Sequence, residues 1–339
     1  MVLSIQYMRA LAALLVVLSH VAIKGEQYST SPLSWFHIGS AGVDLFFIIS
    51  GYIMCHTVTN RKVGFNGFII ARIKRILPLY WLLTTAALVV FLLLPEKVNS
   101  SGGVTNILHS YTLFPTVDKY LIQNGWTLSY EFYFYFLFSS CLLFNSAWRF
   151  FVPVFVILAL VATASVYENE NYLVGFFTNP LLVEFVAGIL IFYLFQEKGV
   201  GIKVGLCFIC LAIFLLVFVN ESVIDVNRTV RYGIPMLLFF IGMLALEPVF
   251  KKVQGMKVSR LFQSLGASSY SLYLCHPFAL VICAVIFKKL GLHDNGFVFS
   301  GLLMSCSILS GHLCYVLIEK RLIRIFSRKK SVVLKPQEV

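Results

Sequence analysis

Apolar residues run through the chain in long blocks, broken by short polar or basic stretches. The blocks lie roughly at 4–23, 38–58, 77–94, 126–145, 150–167, 179–196, 203–219, 232–250, 266–287 and 297–318. A hydrocarbon core ~30 Å thick needs about 20 apolar residues at ~1.5 Å rise each. The pattern therefore predicts an all-α fold: a polytopic transmembrane helical bundle of about ten spans. Short loops separate the fifth to seventh blocks, and no internal repeat or soluble domain stands out. The first block has no basic region before it and no small-residue cleavage site after it, so it is expected to remain as a helix.

That first block, Ile5 to Ile23, carries two residues that a bilayer disfavours, Arg9 and His20. Eleven residues at ~100° each bring them back to within about 20° of one another, about 16 Å apart along the axis. One helix face thus holds a fixed cation at one end and, at the other, a residue that titrates near neutral pH. Charged residues within a span mark functional sites, although each of these two can also serve as an anchor at its own membrane interface.

Composition agrees with the membrane reading. Of 339 residues, 59% are hydrophobic and only 12% charged, against about 25% charged in a soluble domain; mean hydropathy is +0.87. A net charge of +12 would suit nucleic acid in a soluble protein. Here the basic residues cluster between apolar blocks, so topology and anionic lipid explain them and no nucleic-acid partner is expected. With the N-terminus inside, most of the 27 Lys and Arg are cytoplasmic: Arg61, Lys62, Arg72, Lys74, Arg75, Arg149, Lys198, Lys203, Lys251, Lys252, Lys257, Arg260 and a tail from Lys320 to Lys335. Lys24, Lys97, Lys119, Arg228, Arg231, Lys288 and Lys289 would lie outside. Both termini are then cytoplasmic, residues 1–320 form the membrane domain and 321–339 a basic tail. The eight cysteines fall in or beside apolar blocks and act as small hydrophobes. Cys207 and Cys210 form a CxxC without a second ligand pair, so no metal is expected.

On this topology three acids sit at the depth of His20. Asp44 enters early in the second span and can pair with His20, fixing the imidazole tautomer; a helix-end carboxylate facing water is the alternative. Glu131 lies about one turn into the fourth span, among Trp126, Tyr130 and Tyr135. Aromatic residues around an acid suit a sugar-facing pocket, and equally an interfacial belt. Glu184 is a weaker third. The glycines and serines around Asp44 (Gly39, Ser40, Gly42, Ser50 and Gly51) permit close helix approach. At the inner mouth, Arg72 and Arg75 share a face of the run FIIARIKRILPLYW and suit phosphate oxygens, or simply flank the span. Pro78 is expected to open the third span. His276 precedes Pro277, which should free a backbone carbonyl.

The order of these features resembles the acyltransferase-3 family of integral-membrane acyltransferases, and especially its short bacterial exopolysaccharide and O-antigen O-acetyltransferases. The resemblance rests on an R-x10-H helix followed by GVDLFFIISGYIM, RIKRILPLYW, WTLSYEFYFY and SYSLYLCHP, across residues 3–320. It implies transfer of an acyl group, usually acetyl and not amino-acyl, from cytoplasmic acetyl-CoA (acyl-CoA) to a hydroxyl of a carbohydrate, a polysaccharide or lipid-linked glycan, at the bacterial inner membrane. Carried over by position, His20 is the catalytic base with Asp44 and Glu131 beside it. Arg9 matches the arginine of the R-x10-H pair, Arg72 and Arg75 those of an RxxR-type motif, and His276 the HP of the ninth span. Beside this, their chemistry suggests Arg9, Arg72 and Arg75 for the donor and Trp126, Tyr130 and His276 for the acceptor. The tail is too short for the SGNH-type hydrolase extension of some longer relatives. A transporter or flippase of a lipid-linked glycan is the alternative, since charges inside helices also mark transport paths. A homo-oligomer in contact with membrane lipid is compatible with either.

Overall fold

The computed structural model describes residues 2–30, 32–60, 63–95, 102–144, 150–166, 170–195, 199–221 and 226–327. Arg61, Lys62, Lys97, Arg149, Lys198 and the tail from Arg328, all used above to orient the chain, lie outside these residues.

Helices joined by loops make up the described residues. In order the chain forms α1 (Leu3–Gln27), a 3-10 turn (Ile38–Ser40), α2 (Ala41–Asn60), α3 (Phe65–Leu93), α4 (Ile107–Thr112), α5 (Gly125–Ser140), α6 (Phe151–Val166), α7 (Tyr172–Phe177), α8 (Leu182–Leu194) and α9 (Ile202–Glu221). A π-helical turn (Thr229–Gly233) leads into α10 (Ile234–Ala245), followed by α11 (Glu247–Lys252), α12 (Lys257–Lys289), α13 (Gly296–Cys314), a second π turn (Tyr315–Glu319) and α14 (Lys320–Ser327). Among the described residues there is no strand, only a single bridge between Thr105 and Lys119.

Seven helical segments among the described residues are long and apolar enough to cross a membrane: Leu3–Gln27, Ile38–Thr59, Phe65–Leu93, Tyr172–Leu194, Ile202–Glu221, Lys257–Lys289 and Gly296–Phe326. The other expected spans fall on shorter helices, α5, α6 and the Thr229–Ala245 segment. The eighth apolar block does not run through to 250, because the helix breaks at Leu246 and restarts as α11.

Helix α1 is the hub, packed along α12 and α2 and touching α13, α10 and α11. Its start is held by a carboxylate from elsewhere in the chain. The backbone N–H of Leu3 donates to Glu247 Oε1 (3.0 Å) and that of Ser4 to Oε2 (2.7 Å). These are N–H groups a helix cannot satisfy itself, and an anion there also complements the helix dipole.

Pro78 and Pro277 lie well inside long helices. Pro78 does not open a span; α3 starts at Phe65 and runs through it. Packing overrides the local penalty, since Phe68, Ile76, Leu79 and Tyr80 are all buried along this helix. Pro277 lies within α12 and, having no N–H, leaves the carbonyl of Tyr273 free. Asn124 takes up that carbonyl with its side-chain amide at 2.6 Å.

Small residues bring α2 and α8 together. A Cβ on Gly51 would lie 2.1 Å from the carbonyl oxygen of Phe185, and one on Gly188 would lie 2.1 Å from that of Ile48. Gly188→Val should therefore separate the two helices, costing about 1–3 kcal/mol or more, whereas Gly175→Val meets open space. Thermal melts of the two variants in detergent should show a clear drop for the first and little change for the second.

Candidate active site

Helix α1 presents Arg9 and His20 along one face, and each meets a different set of neighbours. His20 Nδ1 lies 2.8 Å from the carbonyl oxygen of Val16, one turn earlier. A carbonyl only accepts, so Nδ1 carries the hydrogen and Nε2 keeps its lone pair. His276 repeats the arrangement on α12, with Nδ1 3.0 Å from the Leu272 carbonyl oxygen. The two rings meet edge to face with centroids 4.9 Å apart. His276 is fully buried, and its Nε2 has no hydrogen-bond partner among the described residues. Two imidazoles are thus set side by side in the tautomer of a base at Nε2.

Asp44 does not join them. No hydrogen bond or ion pair links it to His20 among the described residues. Its carboxylate pairs instead with Arg228, whose Nη2 lies 2.8 Å from Oδ2 and whose Nε lies 3.4 Å from Oδ1. Arg228 Nη2 also donates to the Ser40 carbonyl at 3.1 Å. The physical reason is burial: Asp44 is 0% exposed, and a buried carboxylate is better matched by a permanent cation than by a neutral imidazole. Glu184, also buried, faces the same group. Hydropathy had placed Arg228 in a loop, so its partnership with Asp44 was missed. Its guanidinium further lies over the Trp126 ring, 5.6 Å from the centroid. Tyr130 is close by, edge-on to Trp126 at 6.1 Å and stacked on Phe176 at 4.1 Å. One face of each ring is therefore already covered.

Toward the start of α1 lies a cavity of about 520 Å³. Arg9, Arg72 and Arg75 line it together with Glu131, Glu319, Ser50, Tyr135 and Tyr270. Arg9 and Arg72 are half-buried and Arg75 is exposed, so the pocket opens on the Arg75 side. Glu131 is held by two hydroxyls: Ser50 Oγ donates to its Oε1 at 2.9 Å, and Tyr135 OH donates to the same oxygen. Glu319 accepts from Ser271 Oγ. The sequence had left Glu319 at the start of the tail, although it is the only acid between Asp294 and Glu338 and follows an apolar run.

His20, Asp44, Trp126, Tyr130 and His276 do not line this cavity. The link is Tyr273, which lines it and whose ring lies 6.2 Å from that of His276. Phe46, also on the cavity wall, meets Tyr273 edge to face at 5.9 Å. Tyr273 is fixed at its hydroxyl by Thr127 (2.7 Å) and at its carbonyl by Asn124. Cys207 and Cys210 are exposed on α9, and among the described residues no cluster of three His, Cys, Asp or Glu is placed to hold a metal.

The helical bundle thus holds an arginine-lined cavity and, behind its Tyr273 wall, a pair of imidazoles in edge-to-face contact. The family model for the acyltransferase-3 domain, described as an acyltransferase domain, matches residues 2–317. This chain belongs to that family and is an acyltransferase. It is 34% identical over 300 residues to the exopolysaccharide production protein ExoZ of Rhizobium meliloti (strain 1021), covering 85% of this chain and 91% of that one. It is 24% identical over 280 residues to the O-acetyltransferase OatA of Staphylococcus aureus (strain NCTC 8325 / PS 47), covering 71% of this chain and 46% of that one. With the peptidoglycan O-acetyltransferase OatA of Listeria monocytogenes (serovar 1/2a, strain ATCC BAA-679 / EGD-e) it shares 26% over 163 residues, 43% of this chain and 25% of that one. The chain thus spans about half, or less, of the length of these OatA proteins. No solved structure matches it.

Arg228→Met should leave Asp44 beside Glu184 with no cation. Removing one partner of a buried pair costs about 3–5 kcal/mol, less here because Arg228 is 31% exposed. A marked loss of melting temperature is expected, partly recovered by adding Asp44→Asn.

Proposed function

We propose that the chain is an O-acetyltransferase of the bacterial inner membrane, with about ten spans and both termini cytoplasmic. It moves an acetyl group from cytoplasmic acetyl-CoA to a hydroxyl of an exopolysaccharide or other cell-surface carbohydrate. The observation that carries the reading is the convergence of Arg9, from α1, with Arg72 and Arg75, from α3, on one cavity. Guanidiniums fork onto phosphate oxygens, and the open Arg75 side suits the nucleotide end of a carrier too polar to cross the bilayer. The acceptor class is carried over from the printed names of ExoZ and OatA.

In this reading the carrier's pantetheine arm runs up the α1 face from Arg9 toward His20, about 16 Å away along the helix. His20 Nε2 takes the proton of the acceptor hydroxyl. The hydroxyl oxygen forms the new bond to the acetyl carbon, the carbon–sulfur bond breaks, and the thiolate leaves to be protonated by the imidazolium. The Val16 carbonyl, rather than Asp44, orients the imidazole. Asp44 then holds Arg228 near Trp126 and Tyr130, at the end proposed for the carbohydrate. His276 lies against His20, and Glu131 holds Ser50 and Tyr135 on the donor wall.

The test is acetyl transfer from labelled acetyl-CoA into extracellular polysaccharide by membranes holding wild type or His20→Ala at matched expression. Label that appears with wild type and falls at least about 100-fold in the variant is expected of a general base. Retained transfer would remove His20 from that role. A flippase would show no donor-dependent label at all.

A further inference from the structure

Glu319 enters the cavity from a part of the chain that the proposed chemistry does not use. It is 2% exposed, lines the cavity and ends the π turn Tyr315–Glu319. A π turn carries one residue more per hydrogen-bonded loop than an α turn and often marks a functional position. At its end two neighbours of opposite charge meet different partners. The Glu319 carboxylate accepts from Ser271 on α12, while the Lys320 ammonium lies 4.8 Å from the centroid of the Tyr315 ring. The helix that follows, α14, packs on α3, which carries Arg72 and Arg75.

The carboxylate lies within the electrostatic reach of Arg9 and Arg75. Among the described residues no direct ion pair joins it to either. Ser271 holds it back, so it lowers the positive potential of the cavity without occupying the N–H groups of the guanidiniums. Three arginines and two carboxylates line the cavity, and the second carboxylate, Glu131, is held by Ser50 and Tyr135.

We infer that Glu319 is a built-in counter-anion that sets how tightly the site holds a polyphosphate-bearing ligand, and that it keeps this grip weak enough for release. The inference rests on the donor assignment proposed above. An acyl carrier and the spent carrier share the same phosphates, so binding energy spent on those phosphates holds both equally and does not speed the chemistry. A cavity of three arginines with less counter-charge would retain the product and make its departure limiting. Glu319 opposes that through space while leaving the arginine forks free to bind.

The experiment uses the full chain purified into lipid nanodiscs and measures binding of CoA and, separately, of inorganic diphosphate. Glu319→Gln, which keeps the shape and a hydrogen-bond acceptor for Ser271, should tighten both by about five- to tenfold, the order of one charge–charge interaction in a partly hydrated site. Its KM for acetyl-CoA and its kcat should fall together. Glu319→Asp should bind like wild type. Ser271→Ala keeps the charge but frees the carboxylate to reach the arginines, and should weaken diphosphate binding. Equal or weaker binding by Glu319→Gln, in protein that melts like wild type, overturns the inference. If Glu319→Gln does not fold, unchanged diphosphate binding in Ser271→Ala overturns it. If wild type binds diphosphate but not CoA, the donor assignment fails, and the diphosphate comparison still decides the role of Glu319.

Discussion

Four carboxylates in this bundle each take a donor from another part of the chain, and these contacts tie its helices together. Glu247 receives the first N–H groups of α1. Asp44 on α2 receives Arg228, just ahead of α10. Glu131 on α5 receives Ser50 from α2, and Glu319 receives Ser271 from α12. Each contact ties segments that are distant in sequence, and leaving any of these carboxylates unpartnered would cost several kcal/mol. These contacts specify which helices lie beside which, a task that apolar packing in lipid does only weakly.

The helices were largely legible because a membrane span is a crude signal: length and hydropathy suffice. The Arg9–His20 face was legible because helical periodicity relates residues within one element. The carbonyl freed by Pro277 was also foreseeable, since proline always lacks the donor, but Asn124 as the group that takes it up was not. Contacts between elements were the hidden part. Asp44 and His20 were matched by depth alone, and depth does not say which side of a helix faces which neighbour. Arg228 looked like loop charge because the block it precedes begins only at 232. Glu319 looked like the edge of a basic tail because the π turn that directs it inward has no sequence signature. Pro78 was taken as a boundary because its local cost was visible and the burial of Phe68 and Tyr80 was not.

The two halves of the candidate site differ in character. The cavity end is lined by three guanidiniums, of which that of Arg75 is exposed. At the histidine end His276 is completely enclosed, whereas His20 is half-buried. Between them stand Phe46 and Tyr273, the latter anchored at two points and the former only partly buried. Phe46 packs against all three apolar clusters of the bundle. In the proposed reading, a ligand spanning both ends has to pass this aromatic pair.

His20 takes its orientation from its own helix. The Val16 carbonyl one turn away fixes the tautomer, so a residue proposed to act as a base needs no partner contributed by a distant segment. Within the R-x10-H spacing, a single uninterrupted helix encodes both the aim of the imidazole and its distance from the arginine. The surrounding helices add His276 against the ring but do not set its tautomer. The aim of this imidazole is thus a property of one turn of α1 rather than of the packing around it.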